Sequence, residues 1–427
     1  MNLALHLAAA ALLWDILRRL IPERAALIAT TIFALHPLVT EPVAYVFARG
    51  TLLATVFALL AIRSWITDRT GAATGWFLIA MLAKEECAAL PVFLLLLDVS
   101  RKVRLRLPPL AAMFTIALLL GIRTIWASAT IAGSQAGAQA GILPVRYLAA
   151  QGPVILGYLR MVLIPWGFSV DYPSVPSPWF WSLAAWIGIA ALAWVALRKF
   201  NALKAGFWFI AGLVLLAPSS SIFPAADLAN DRRMYLPLVA FTACAGLLLQ
   251  RTDARILIGG AIVLAAITAY YTSMWRSPAA LWSEAVERAP EKVRPRLQLA
   301  RSIPPELGLE VLKQSEQVAP DSAEIAAERG RILLEINRPA EALSAFGRAL
   351  ALDPGDARTI NNRGAALAAL GQPDAARADF ERALARDPCL FDAQLNLLRM
   401  GIPELIPGGC RYTDRQEQML KGKMRSR

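Results

Sequence analysis

The segments ALSAFGRALALDP (342–354) and ARADFERALARDP (376–388) are one pattern written twice, 34 residues apart. The same interval separates Pro320, Pro354 and Pro388. It also relates Gly330 to Gly364, Leu333 to Leu367, Ala342 to Ala376, Phe346 to Phe380 and Ala349 to Ala383. Small residues let two helices approach closely, Leu and Phe fill the space between them, and Pro stops the second helix of each pair. Two clear copies cover 323–356 and 357–390. Weaker ones precede them, in 302–320 with Gly308, Leu312 and Ser315, and in 278–290 with Trp282, Ala285 and Pro290.

A 34-residue helical period with these small, large and closing positions resembles the tetratricopeptide repeat. It predicts an α-solenoid over 276–400, followed by a frayed tail over 401–427 that ends in KGKMRSR. Stacked repeats bury a continuous core and expose a concave face. That face is either a groove for a protein partner or the inner wall of a rigid spacer. Cys389 and Cys410 lie in this polar half and either pair or remain free thiols.

Upstream of the repeats the chain changes character. Of its 427 residues 57% are hydrophobic and 18% charged, and the apolar ones concentrate in 1–275. Apolar runs at 2–20, 25–35, 51–66, 72–83, 88–97, 108–126, 147–165, 179–197, 205–217, 235–249 and 256–274 predict a polytopic transmembrane helical domain. The net charge is +12. Residues 1–275 hold 21 Lys/Arg against 11 Asp/Glu, so most of the excess is loop charge in the apolar half, not a nucleic-acid footprint. With no CxxC or Cys/His cluster, a zinc site is not expected, and no twofold internal similarity suggests a transporter.

Basic clusters orient the spans. Arg18, Arg19 and Arg24; Arg101, Lys102, Arg104 and Arg106; Arg198, Lys199 and Lys204; and Arg251 with Arg255 all fall on the cytoplasmic side if 147–165 re-enters or lies in the outer interface. The loops 36–50, 127–146, 166–178 and 218–234, and everything after Trp275, then face outward. The bookkeeping also starts the chain outside, which implies a helix upstream of Met1. The expected location is a bacterial inner membrane with the repeats on its periplasmic side.

Polar residues gather in the outward segments: His36, Glu41 and Arg49; Lys84 and Glu85; Asp171 and Tyr172; Asp231, Arg232 and Tyr235. Polar groups at a membrane edge are costly unless paired or used. Arg and Lys there suit a phosphate, a carboxylate suits removal of a hydroxyl proton, and Tyr suits a lipid chain or sugar ring at headgroup depth. Pro37 and Pro42 should break the helix, and His36, Glu41 and Arg49 should meet Lys84 and Arg232 at one outward cavity. The plain alternative is that these charges only pair with one another.

Four segments in this order resemble the transmembrane and tetratricopeptide-repeat O-mannosyltransferase family: "FALHPLVTEPVAYVFARGTLLATVFALLA", "MLAKEECAALPVFLLLLD", "LIPWGFSVDYPSV" and "NDRRMYLPLVAF". The resemblance implies an all-α GT-C fold and transfer of a sugar from a polyprenyl-phosphate donor to a protein acceptor held by the repeats. Its partners would be membrane lipid and protein, with no certain cofactor and the need for a divalent metal left open. "NLALH" matches the family's second helix, so the acidic catalytic loop after the first is absent from this sequence. That absence favours the alternative, a non-catalytic membrane-anchored scaffold.

Overall fold

The computed structural model describes residues 1–130, 142–173, 178–199, 204–220, 223–225, 227–402 and 409–425. Regular structure among them is helical: 21 α-helices joined by turns, with no β-strand element. They form two compact units, Met1–Arg288 and Ala289–Arg427.

The first unit holds α1 (Asn2–Leu17), α2 (Glu23–Leu35), α3 (Thr40–Ala44), α4 (Arg49–Ile66), α5 (Thr70–Ala83), α6 (Leu90–Arg101), α7 (Leu107–Thr130), α8 (Pro144–Leu163), α9 (Trp179–Lys199), α10 (Ala205–Leu216), α11 (Tyr235–Leu249), α12 (Ala254–Met274) and α13 (Pro278–Arg288). Five stretches are long and apolar enough to cross a bilayer: Val46–Ile66, Leu107–Thr130, Trp179–Lys199, Asp231–Leu249 and Ala254–Met274. A sixth is counted if α2 and Pro37–Ala44, bent by 52°, are taken together. The bend has a local cause. His36 precedes a proline and is extended (φ −75°, ψ 133°), so α2 ends there.

α11 is the core helix, with residues buried on every side. A side chain at Gly246 would put its Cβ 2.3 Å from the Ala25 carbonyl oxygen, so glycine sets the close approach of α2. By contrast α7 and α12 leave Leu118, Ile122, Ile256 and Ile262 more than half exposed. Apolar faces of that extent suit a hydrocarbon solvent and not water.

Contacts sort the helix ends into two sets. At one end Asp15 pairs with Arg18, Arg19 and Arg63. There Arg106 also binds Asp68 and the fully buried Asp98, and Arg24 donates to the Thr252 carbonyl. Arg106 lies 4.2 Å over the Trp65 ring, whose indole N–H donates to Asp98. It is thus a structural tie rather than only a solvated loop charge. The opposite end holds Asn2, His36, Glu41, Lys84 and Asp231. α8 lies across that end: Tyr147, Gln151 and Tyr158 all reach the chain between Leu228 and Arg233, and the Val162 carbonyl meets His36.

The second unit continues with α14 (Val293–Ser302), α15 (Pro305–Val318), α16 (Ala323–Glu335), α17 (Pro339–Leu352), α18 (Ala357–Ala369), α19 (Pro373–Arg386), α20 (Phe391–Arg399) and α21 (Asp414–Arg425). α14/α15, α16/α17 and α18/α19 are helical hairpins, and each packs on the next. A Cβ on Gly330 would lie 2.6 Å from the Phe346 ring, and one on Gly364 2.7 Å from Phe380. Ala342 and Ala376 are fully buried beside those rings. Pro354 and Pro388 follow the ends of α17 and α19, and their repeat partners are linked. Arg348 donates to the Pro320 carbonyl, and Arg382 to that of Pro354. The hairpin turns repeat as well: Asn337 and Gly371 are both left-handed, at φ 59° and 73°.

The unit boundary falls after Arg288 rather than at 275, and α13, expected as a weak repeat, groups with the first unit. Within 401–427, α21 packs on α20 and buries Leu420. The side chains of KGKMRSR lie outside the described residues. Cys389 and Cys410 form a disulfide.

Candidate functional site

Three short, irregular segments meet where α2 ends and α11 begins. The first carries Glu41 inward on α3. In the second, Asn230 is extended and its side chain accepts from the Arg232 N–H, which caps the turn Asp231–Met234. The Glu41 carboxylate accepts both from that N–H and from the Arg232 guanidinium, each at 2.9 Å. The third segment presents Tyr172, whose hydroxyl donates to Asp231 at 2.6 Å. Glu41 and Asp231 are 5% and 4% exposed, so both carboxylates depend on these partners.

Further bonds fix the backbone. The Tyr158 hydroxyl accepts from the Asn230 N–H at 2.6 Å and donates to its carbonyl at 2.9 Å. Arg233 points away from Arg232, to the carbonyls of Asp227 and Leu228 and to Tyr147. Asp171 is buried beside Ser169, whose hydroxyl bridges its backbone. Burial and the Asp231 carboxylate push the Tyr172 phenol well above its ordinary range, so it remains a neutral donor.

A narrow cleft of about 20 Å³, room for a water, opens beside this cluster. Glu41, Asp231 and Glu284 line it with Thr40 and Ser169, and its apolar walls include Phe168, Tyr271 and Trp275. Burial raises the Glu284 carboxyl, and the paired Arg288 opposes the shift. The arrangement can accept a proton or hold a cationic or hydroxyl-bearing group. Among the described residues no set of three His, Cys, Asp or Glu side chains is disposed to hold a metal ion.

Of the residues named from sequence, Glu41, Tyr172, Asp231 and Arg232 are brought together. The others have different partners. His36 is buried and its ring meets the Val162 carbonyl and the Leu38 N–H. Arg49 donates to Asn2 at 3.4 Å. Lys84 bonds Thr51 and pairs with Glu86 rather than Glu85, which is exposed, but its charge still reaches the Glu41 carboxylate. Tyr235 bonds His6 inside the helix core. Sequence reasoning missed Tyr147, Tyr158, Asn230 and Glu284. Asn230 opens the quoted "NDRRMYLP" stretch, whereas Glu284 has no motif around it.

A tetratricopeptide repeat family model matches residues 357–388, within the second clear repeat. The curated proteins give no match. Among solved structures, a crystal structure of MamA is 21% identical over 34% of this chain and 85% of its own, at a TM-score of 0.27. A thermophilic tetratricopeptide-repeat protein of Thermus thermophilus is 20% identical over 37% and 87%, at 0.26. Yeast Tom70 is 14% identical over 92% and 88%, at 0.28. The family match puts a tetratricopeptide repeat at 357–388, and the described residues form an all-helical fold.

Proposed function

We propose that this chain is a membrane-anchored scaffold whose tetratricopeptide array binds a protein partner on the extracytoplasmic side. The observation that carries the reading is the repeat array itself, with a matching family model and hairpins stacked in register. The apolar faces of α7 and α12 support the anchor. The gathering of Arg18, Arg19, Arg24, Arg63 and Arg106 at one set of helix ends supports the orientation. So does the disulfide in the repeat unit, since such bonds persist chiefly in oxidising compartments. A photo-crosslinking residue tests the binding face. Placed at Ala368, exposed on α18, it should capture one defined protein in intact cells. Placed at Ala378, exposed on α19, it should not. Equal capture from both positions, or none, contradicts a partner-binding groove.

A second reading is favoured by the buried Glu41–Arg232 and Tyr172–Asp231 pairs at a cleft. It is transfer of a sugar from a polyprenyl-phosphate donor to a protein hydroxyl, with the cleft-lining Asp231 as the carboxylate that takes the acceptor proton. Under it, Asp231→Asn should lower transfer at least 100-fold while the protein stays folded, in an assay with a polyprenyl-phosphate sugar and the natural acceptor. Unchanged transfer would remove Asp231 from that role.

A further inference from the structure

The repeat pattern stops where the disulfide begins. One period on, Gly364 becomes Leu398, Phe380 becomes Asp414 and Ala376 becomes Cys410. The ring-over-glycine seam that joins α16 to α17 and α18 to α19 therefore cannot form between α20 and α21. At the alanine position stands a cysteine, bonded to Cys389 just ahead of α20.

α20 has two apolar faces. Ala393 and Leu397 are fully buried in the core that holds Phe380. Phe391, Leu395 and Leu398 stand at i, i+4 and i+7, so they share a face on the other side of the helix. Leu395 is buried there all the same. α21 packs on α20, and in the segment leading into it the Tyr412 ring lies 6.0 Å from that of Phe391. This second face is the one that α21 covers.

Apart from the covalent bond, the attachment is thin. Of the side chains described on α21, Leu420 is buried, while Asp414, Arg415, Glu417 and Gln418 are exposed. A polar outer face of that kind is what the end of a stacked array requires. The Tyr412 hydroxyl donates to Gln394 at 2.8 Å. Thr413 and Gln416 form a capping box that starts the helix shortly after Cys410. α21 has 12 residues, a length at which a helix is marginal in water on its own. Cys389 is exposed, so an outside thiolate can reach its sulfur.

We propose that α21 is a cap on the end of the array, latched by the Cys389–Cys410 bond and released by a dithiol reductant. One thiolate of the reductant attacks Cys389 Sγ and breaks the bond to Cys410, which leaves as a thiolate and takes a proton. The second thiolate attacks the reductant's own sulfur in the mixed disulfide and expels Cys389, which is protonated in turn. The reductant departs as a disulfide, and the protein has gained two electrons and two protons. Release uncovers Phe391, Leu395 and Leu398, and reoxidation closes the end again. The device lies within the repeat unit and does not depend on which partner the array binds.

Hydrogen exchange read by mass spectrometry, on the full chain in detergent, tests this with dithiothreitol as the reductant. Reduction should speed exchange of the α21 amides at least tenfold and leave those of α16–α19 within twofold. Removing the dithiothreitol and reoxidising should restore protection. Cys389→Ser combined with Cys410→Ser should match the reduced chain. Tyr412→Phe, with the bond intact, should keep α21 protected. Equal α21 exchange in the oxidised and reduced chains would overturn the proposal, as would release of α21 by Tyr412→Phe alone. Loosening of α16–α19 together with α21 would also overturn it, because the bond would then hold the whole array rather than a cap. So would a bond that dithiothreitol reduces only once the array unfolds.

Discussion

Arg232→Ala should destabilise the first unit by about 3–5 kcal/mol, because it strands a carboxylate that folding has already removed from water. Glu41 is 5% exposed and takes two hydrogen bonds from Arg232. Only the one from the backbone N–H survives the substitution. Thermal unfolding of the detergent-solubilised chain, followed by its tryptophan fluorescence, should show a midpoint several degrees lower. Glu41→Gln combined with Arg232→Gln should cost less than the two single changes added together, since no lone charge remains. A wild-type midpoint for Arg232→Ala would mean that the pair is not buried as described.

Phe380→Ala should cost a similar amount, about 3–5 kcal/mol, and only in the repeat unit. The ring is 2% exposed and fills the space that Gly364 leaves open between α18 and α19. Its removal deletes a large apolar surface and leaves a cavity that rigid helices close only in part. A typical domain is stable by roughly 5–15 kcal/mol, so such a loss consumes much of what holds the array together. Limited proteolysis should then cleave within the repeats while the first unit stays resistant. An unchanged cleavage pattern would show that the α18/α19 seam does not depend on this ring.

Sequence made the repeats legible because the same residue types return every 34 positions for one geometric reason. Gly364 faces Phe380 just as Gly330 faces Phe346. Two further members of the period, Asn337 with Gly371 and Pro339 with Pro373, are less conspicuous because they mark turns rather than the core. The break after His36 was legible too, since two prolines forbid a continuous helix. The pairing of charges was not. Glu41 and Arg232 are 191 positions apart, and Tyr172 and Asp231 are 59 apart. No local pattern records which cation reaches which anion. Arg49 shows the difficulty: it shares the outward loop with Glu41, yet its side chain turns to Asn2 on α1. Glu284 was invisible for another reason, because it sits on an amphipathic helix that reads as part of a repeat.

The central claim is that a membrane domain presents the repeat array outside the cytoplasm. The most direct measurement is a pair of reporters fused in turn after Arg427. Alkaline phosphatase, active only outside the cytoplasm, should be active, and a fluorescent protein that matures only inside should stay dark. A dark phosphatase fusion with a bright fluorescent one would place the repeats in the cytoplasm and contradict the account.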